Sequence, residues 1–198
     1  MTLLEQGGTM MWPLILLSVP ALGVILERLC FFGFNRFPSP VSPATETLRD
    51  HDKARPFFAE LQENESLFLP FFETLVWEGS VKQREERAAM AAKEILFAFG
   101  KRLDFLSSVA TTAPLLGLLG TVVGMVEAFS KLAGANGAMD ISLLANGIWH
   151  ALLTTAAGLV IAIPALMAHQ WFCTQQRQTA FAMERLANHV ISQSETRP

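Results

Sequence analysis

The stretch ATTAPLLGLLGTVVGM, Ala110 to Met125, decides the fold. It carries no charge, yet it holds three threonines, a proline and three glycines in a run apolar enough to enter a membrane. A helix surrounded by lipid is better served by leucine and valine, because glycine lowers helix propensity and a threonine hydroxyl needs a partner. The composition therefore predicts a membrane helix with part of its circumference against another helix.

Working outward, charge is absent from Phe105 to Val126 and from Ile141 to Gln176, and between Met10 and Phe34 the only charges are Glu27 and Arg28. About 20 apolar residues cross the hydrocarbon layer as a helix, so each of the three blocks suffices. The first span is predicted over Met11 to about Phe32, with a kink at Pro20. It is expected to stay in the mature chain, because the residues before it hold no Lys or Arg and no small-x-small cleavage pattern follows it.

Ten Lys and Arg lie from Arg36 to Arg102 and three more in the tail at Arg177, Arg185 and Arg197, against Lys131 alone in the connection after the second span. Positive residues collect on the inner side, which predicts an outside (periplasmic) amino terminus and a cytoplasmic middle segment and carboxyl terminus. The expected fold is an all-α membrane protein with three transmembrane helices and long cytoplasmic helical extensions. Its organisation reads as a periplasmic amino terminus with the first span (1–34), a cytoplasmic linker and helical segment (35–104), a hairpin of the second and third spans (105–172) and a cytoplasmic carboxy-terminal helix (173–198).

Within the middle segment a Pro/Ser-rich linker leads into short amphipathic helices, predicted to break near Pro56, Pro70 and Gly79. Their apolar residues need cover from each other, from neighbouring chains or from the membrane surface, and core packing is the leading reading. A new helix is predicted from Ser80, with few breakers and little to stop it before Pro114. The connection Lys131 to Asp140 is short, so the second and third spans form an antiparallel hairpin with Asp140 as a predicted cap. The third helix is expected to continue through the tail, offering Phe181, Leu186 and Val190 for contacts.

Ala113, Gly117, Gly120 and Gly124 recur at helical spacing, as do Gly147, Ala151, Thr155, Gly158 and Ala162 in the third span. Small-residue stripes allow close helix packing. Thr121 borders the first stripe and Thr155 lies in the second, with Thr154 beside it. Packing with a hydroxyl bonded to a carbonyl and a polar path through the membrane both remain open for these threonines. His150 lies in the same apolar stretch, where an ionisable group is by default a functional candidate and a hydrogen-bonded neutral imidazole is the bland alternative. Glu127, near the outer end, is read first as a solvated residue, with guarding an entrance as the alternative. Glu27 and Arg28, being sequence neighbours, are not expected to pair.

The formal charge of −3 and the lack of interleaved aromatic and basic residues speak against nucleic-acid binding. There is no phosphate-binding loop, no nucleophile with an adjacent base and no clustered metal ligands, so no enzyme activity, cofactor or metal is expected. Cys30 and Cys173 fall at predicted cytoplasmic ends, where a disulfide is not expected.

The pair ATTAPLLGLLGTVVGM and GIWHALLTTAAGLVIAIPA (Gly147 to Ala165), together with three spans and a cytoplasmic middle segment, resembles the MotA/TolQ/ExbB proton channel family, most nearly its ExbB and TolQ branches. The likeness is strong over about Ser107 to Pro164. It implies a homopentamer in the bacterial inner membrane around two copies of an ExbD/TolR-like single-span protein with a membrane aspartate, acting with a TonB/TolA-like protein and in contact with lipids. It also implies that Thr121 and Thr155 are the pore-facing pair near that aspartate, that Pro114 and Pro164 match the family's two flanking prolines, and that His150 stands where glutamate is usual before ALL.

Overall fold

The computed structural model describes residues 10–35, 37, 51–63, 65–77, 79–134 and 141–195. Every regular element among them is helical: α1 (Met11–Phe34), α2 (His51–Glu63), α3 (Leu69–Val76), α4 (Val81–Gly100), α5 (Leu103–Gly134) and α6 (Ile141–Glu195). Three helical stretches are long and apolar enough to cross a membrane, namely Met11–Phe34, Val81–Gly134 and Leu144–Ser192. The chain divides into two compact units. One comprises Met1–Arg28 and Arg102–Trp171, the other Leu29–Lys101 and Phe172–Pro198.

In the first unit α1 packs on the hairpin of α5 and α6 through small residues. Ala21, Val109, Ala110 and Ala165 form one buried cluster. Leu14, Ala113 and Ala162 form the next. The outward faces stay apolar, with Leu16 78% and Val160 71% exposed, which suits hydrocarbon and not water. Pro20, Pro114 and Pro164 all lie inside helices, as membrane helices tolerate.

The core of the second unit is aromatic. Phe32, Phe68, Phe71, Phe72, Phe99 and Phe172 are all buried. Phe32 meets Phe99 edge-on at 4.9 Å and Phe172 at 5.0 Å between ring centres. Phe57 meets Phe72 at 5.2 Å. Such pairs add about 0.5–1.5 kcal/mol each beyond burial, so the apolar residues of α3 find their cover within the chain. Gln176 on α6 donates to the Leu96 carbonyl of α4 at 2.8 Å. Of the tail residues expected to make contacts, Leu186 is buried and Val190 half-buried, whereas Phe181 is 66% exposed.

Local chemistry explains the helix boundaries. Ser80 caps α4 through a reciprocal pair: its hydroxyl accepts from the Gln83 N–H at 3.4 Å, and its own N–H donates to Gln83 Oε1 at 3.3 Å. Pro70 falls in the first turn of α3, where no helical donor is lost. Pro56, expected to break a helix, instead lies inside α2; one turn precedes it, so its missing N–H removes little more than the bond to the Asp52 carbonyl.

Two further expectations are corrected. The helix from Ser80 does not run on to Pro114: α4 ends at Gly100 and α5 begins at Leu103, because Arg102 takes the left-handed conformation, φ 66°. Glu27 and Arg28 do pair, at 3.5 Å, and Glu27 also binds Arg102. Two long side chains can curl toward each other although their Cβ atoms point to different faces. The predicted cap Asp140 and the loop before it lie outside the described residues, as do most residues of the Pro/Ser-rich linker.

Candidate functional site

The helix hairpin of the first unit gathers the residues singled out in the sequence. A methyl group placed on Gly117 would lie 3.1 Å from Thr155 Cα and 3.2 Å from the Thr154 carbonyl, and one on Gly158 would lie 2.6 Å from the Ala113 carbonyl. One on Gly124 would touch the Ala151 methyl at 3.2 Å, one on Gly147 would meet Ala128, and one on Gly120 would meet the Thr154 side chain. The register pairs 117 with 155 and 158, 124 with 151, and 128 with 147, as an antiparallel pair requires. Backbones approach this closely only where side chains are absent.

The hydroxyls find partners on backbone carbonyls. Thr155 Oγ1 donates across the hairpin to the Gly117 carbonyl at 3.1 Å, Thr154 Oγ1 donates to the His150 carbonyl at 2.8 Å, and Thr121 Oγ1 donates to the Leu118 carbonyl at 2.7 Å. Each hydrogen is thereby committed, and only oxygen lone pairs remain for any further ligand.

Angular position separates the candidates into two groups. Residues along a helix are about 100° apart, so Thr154 and Thr155 flank the contact line Gly147, Ala151, Gly158 on opposite sides. A methyl on Gly120 would meet both Thr154 and, at 3.4 Å, Met10 Cβ, so Thr154 lies on the side of α1. His150, one turn earlier, shares that side. Thr121, about 100° from Gly120, and Thr155 lie on the other edge of the hairpin, away from α1.

Exposure separates the three threonines in the same way. Thr154 is 1% exposed. Thr121 and Thr155 are each half-buried, and Thr121 opens onto a groove of about 660 Å³ lined by Val122, Met125, Val126, Phe129 and Ser130. His150 is half-buried, with its Nδ1 sealed from solvent and without a hydrogen-bond partner among the described residues. Of the packing residues, Pro114 and Gly124 are half-buried, Gly120 is buried and Pro164 is exposed.

The Glu27, Arg28 and Arg102 cluster was missed by sequence reasoning, which weighed only helical spacing within α1. Arg28 is 3% exposed, and burial of a guanidinium beside a carboxylate is the signal that two adjacent charges in an apolar block carry. No group of three His, Cys, Asp or Glu able to hold a metal occurs among the described residues, and neither Cys30 nor Cys173 is in a disulfide.

Three membrane-capable helices with a close-packed, hydroxyl-bearing hairpin define a multi-span helical membrane protein. Residues 52–185 match the model of the MotA/TolQ/ExbB proton channel family, and the chain belongs to that family. It is 30% identical over 194 residues to the biopolymer transport protein exbB1 of Vibrio cholerae, covering 94% of this chain and 84% of that one. With the ExbB-like 3 biopolymer transport protein of Synechocystis it shares 31% over 189 residues, 90% of this chain and 88% of that one. With the Tol-Pal system protein TolQ of Haemophilus influenzae it shares 39% over 92 residues, 46% and 40% of the respective chains. The protein is thus a multi-pass inner-membrane protein with an ExbB/TolQ-like role.

Proposed function

We propose that this chain is the multi-span subunit of a proton-channel motor of the ExbB/TolQ kind, coupling the proton motive force to TonB-like energised transport or other work on the outer membrane. The reading has the chain as a homopentamer around two copies of an ExbD/TolR-like single-span protein, whose membrane aspartate is protonated beside Thr121 and Thr155, and acting with a TonB/TolA-like protein. The amino terminus is periplasmic, and the middle segment and tail are cytoplasmic, by the distribution of Lys and Arg.

The observation that carries this reading is the placement of Thr121 and Thr155 on one edge of the hairpin, where their free lone pairs are available to a protonated carboxyl or to water. That edge lies away from α1, so a partner helix can reach it. A second reading has its own support: all three hydroxyls bond to backbone, as a non-conducting scaffold that anchors a helical cytoplasmic complex would need and no more.

Reconstitution with the partner distinguishes the two. Thr121→Val and Thr155→Val keep volume and remove the oxygen, so the motor predicts proton flux lowered about tenfold or more with complex yield retained. Unchanged flux in both variants would leave only the scaffold.

A further inference from the structure

Below Thr121, toward the start of α5, one seam of that helix changes character. Asp104, Ser107, Thr111, Pro114, Leu118 and Thr121 follow one another at intervals of three and four, the spacing that keeps residues on one face. Asp104 and Thr111 are exposed, and Ser107 is half-buried. Beyond Thr121 the groove lined by Val122, Met125, Val126 and Phe129 is apolar. Polar side chains occupy the seam from Asp104 to Thr111, and Pro114 and Leu118 carry it on to Thr121.

The inner half offers acceptors. Thr111 Oγ1 donates to the Ser107 and Ser108 carbonyls at 3.1 and 3.0 Å, so its lone pairs face out. Pro114 has no N–H to give the Ala110 carbonyl, its normal helical acceptor four residues back. Asp104, in the first turn of α5, ends the seam with a carboxylate, while the neighbouring cation Arg102 is bound to Glu27. Along the helix Asp104 is about 25 Å and Thr111 about 15 Å from Thr121, at 1.5 Å per residue. Two hydroxyls and a carbonyl lacking its helical donor are unsuited to lipid, and at membrane depth such groups line water or protein, with the Asp104 carboxylate at the inner end of the seam.

We propose that Asp104, Ser107 and Thr111 line a water-filled inner half of the path, joining Thr121 to the solution on the side of the middle segment, while the apolar outer half stays dry until the partner helix occupies it. This rests on the proton-path reading of Thr121 and Thr155. The ligand is water and its protonated form: hydronium donates hydrogen bonds and accepts essentially none, which matches a seam of acceptors, and the Asp104 carboxylate concentrates cations at the mouth.

The test uses the full complex in membrane vesicles, with Cys30→Ala and Cys173→Ala as background and one new cysteine at a time. A membrane-impermeant charged methanethiosulfonate is applied from either side. Ser107→Cys and Thr111→Cys should react from the side bearing the middle segment, about tenfold or more faster than Val126→Cys or the lipid-facing Leu16→Cys, since the thiolate forms in water and not in hydrocarbon. Equal rates at 111, 126 and 16 would overturn the proposal.

Flux separates this failure from failure of the parent reading. Thr111→Val and Asp104→Asn should each lower proton flux about tenfold at unchanged complex yield, through loss of an acceptor for a charged donor. If Thr121→Val abolishes flux while Thr111→Val and Asp104→Asn leave it intact, the inner seam is wrong and the pore pair stands. If Thr121→Val and Thr155→Val are both without effect, the parent reading falls, and the inner seam falls with it.

Discussion

Gly158→Ala should loosen the hairpin although it adds a single methyl group. That carbon would lie 2.6 Å from the Ala113 carbonyl oxygen and 3.2 Å from Gly117 Cα. Both are backbone atoms of the facing helix, so no rotamer change relieves the contact, and α5 and α6 must separate by several tenths of an ångström. Overpacking of this kind costs about 3 kcal/mol at the upper end of its range. Separation also stretches the Thr155 to Gly117 hydrogen bond, worth about 0.6 kcal/mol in a membrane helix pair. Alanine returns about 1 kcal/mol of helix propensity. The balance is a loss of roughly 2 to 3 kcal/mol. Gly23→Ala on α1 is the control: nothing lies within 4 Å of the added carbon, so only the propensity gain remains. Reversible unfolding in mixed micelles with rising dodecyl sulfate measures both. Gly117→Ala, with backbone contacts at 3.1 and 3.2 Å, should fall between them. A Gly158→Ala protein as stable as Gly23→Ala would refute the close-packed register of the hairpin.

Ser80→Ala removes one half of the capping pair and should destabilise the start of α4 by about 1 kcal/mol, seen as about fivefold faster hydrogen exchange at the Gln83 amide. Glu27→Gln takes the counter-charge from Arg28, which is 3% exposed, while Glu27 itself is 42% exposed. The expected loss, about 1 to 2 kcal/mol, lies between that of a surface pair and a buried one, and the double variant Glu27→Gln/Arg28→Met should recover part of it in the same micelle titration. His150 is tested with three substitutions assayed for flux against complex yield: leucine should lose coupling with the complex intact, and glutamate should restore part of it. Full flux with His150→Gln would remove protonation of this residue from the mechanism.

The three spans were legible because apolar blocks of membrane length with few or no charges have few alternatives in water. The small-residue stripes likewise announced the hairpin, since Ala113, Gly117 and Gly124 can meet Gly147, Ala151 and Gly158 only by backbone approach. The start of α4 was legible in Ser80 and Gln83, a purely local signature. The break at Lys101 and Arg102 was not. Neither residue forbids a helix, and the left-handed turn of Arg102 coincides with its ion pair to Glu27, 75 residues away in sequence. Thr154 and Thr155 show the same limit at the site. Both are threonines in one helix, and periodicity places them about 100° apart without saying which side meets α1. Only the contact of Gly120 with Thr154 and Met10 resolves this, putting Thr154 and the face of His150 toward α1 and leaving Thr155 beside Thr121. His150 and Thr155 are then about 140° apart on α6, so any proton handled by His150 reaches the Thr121 edge by way of another group, water or a partner's side chain, and not by direct contact with Thr155.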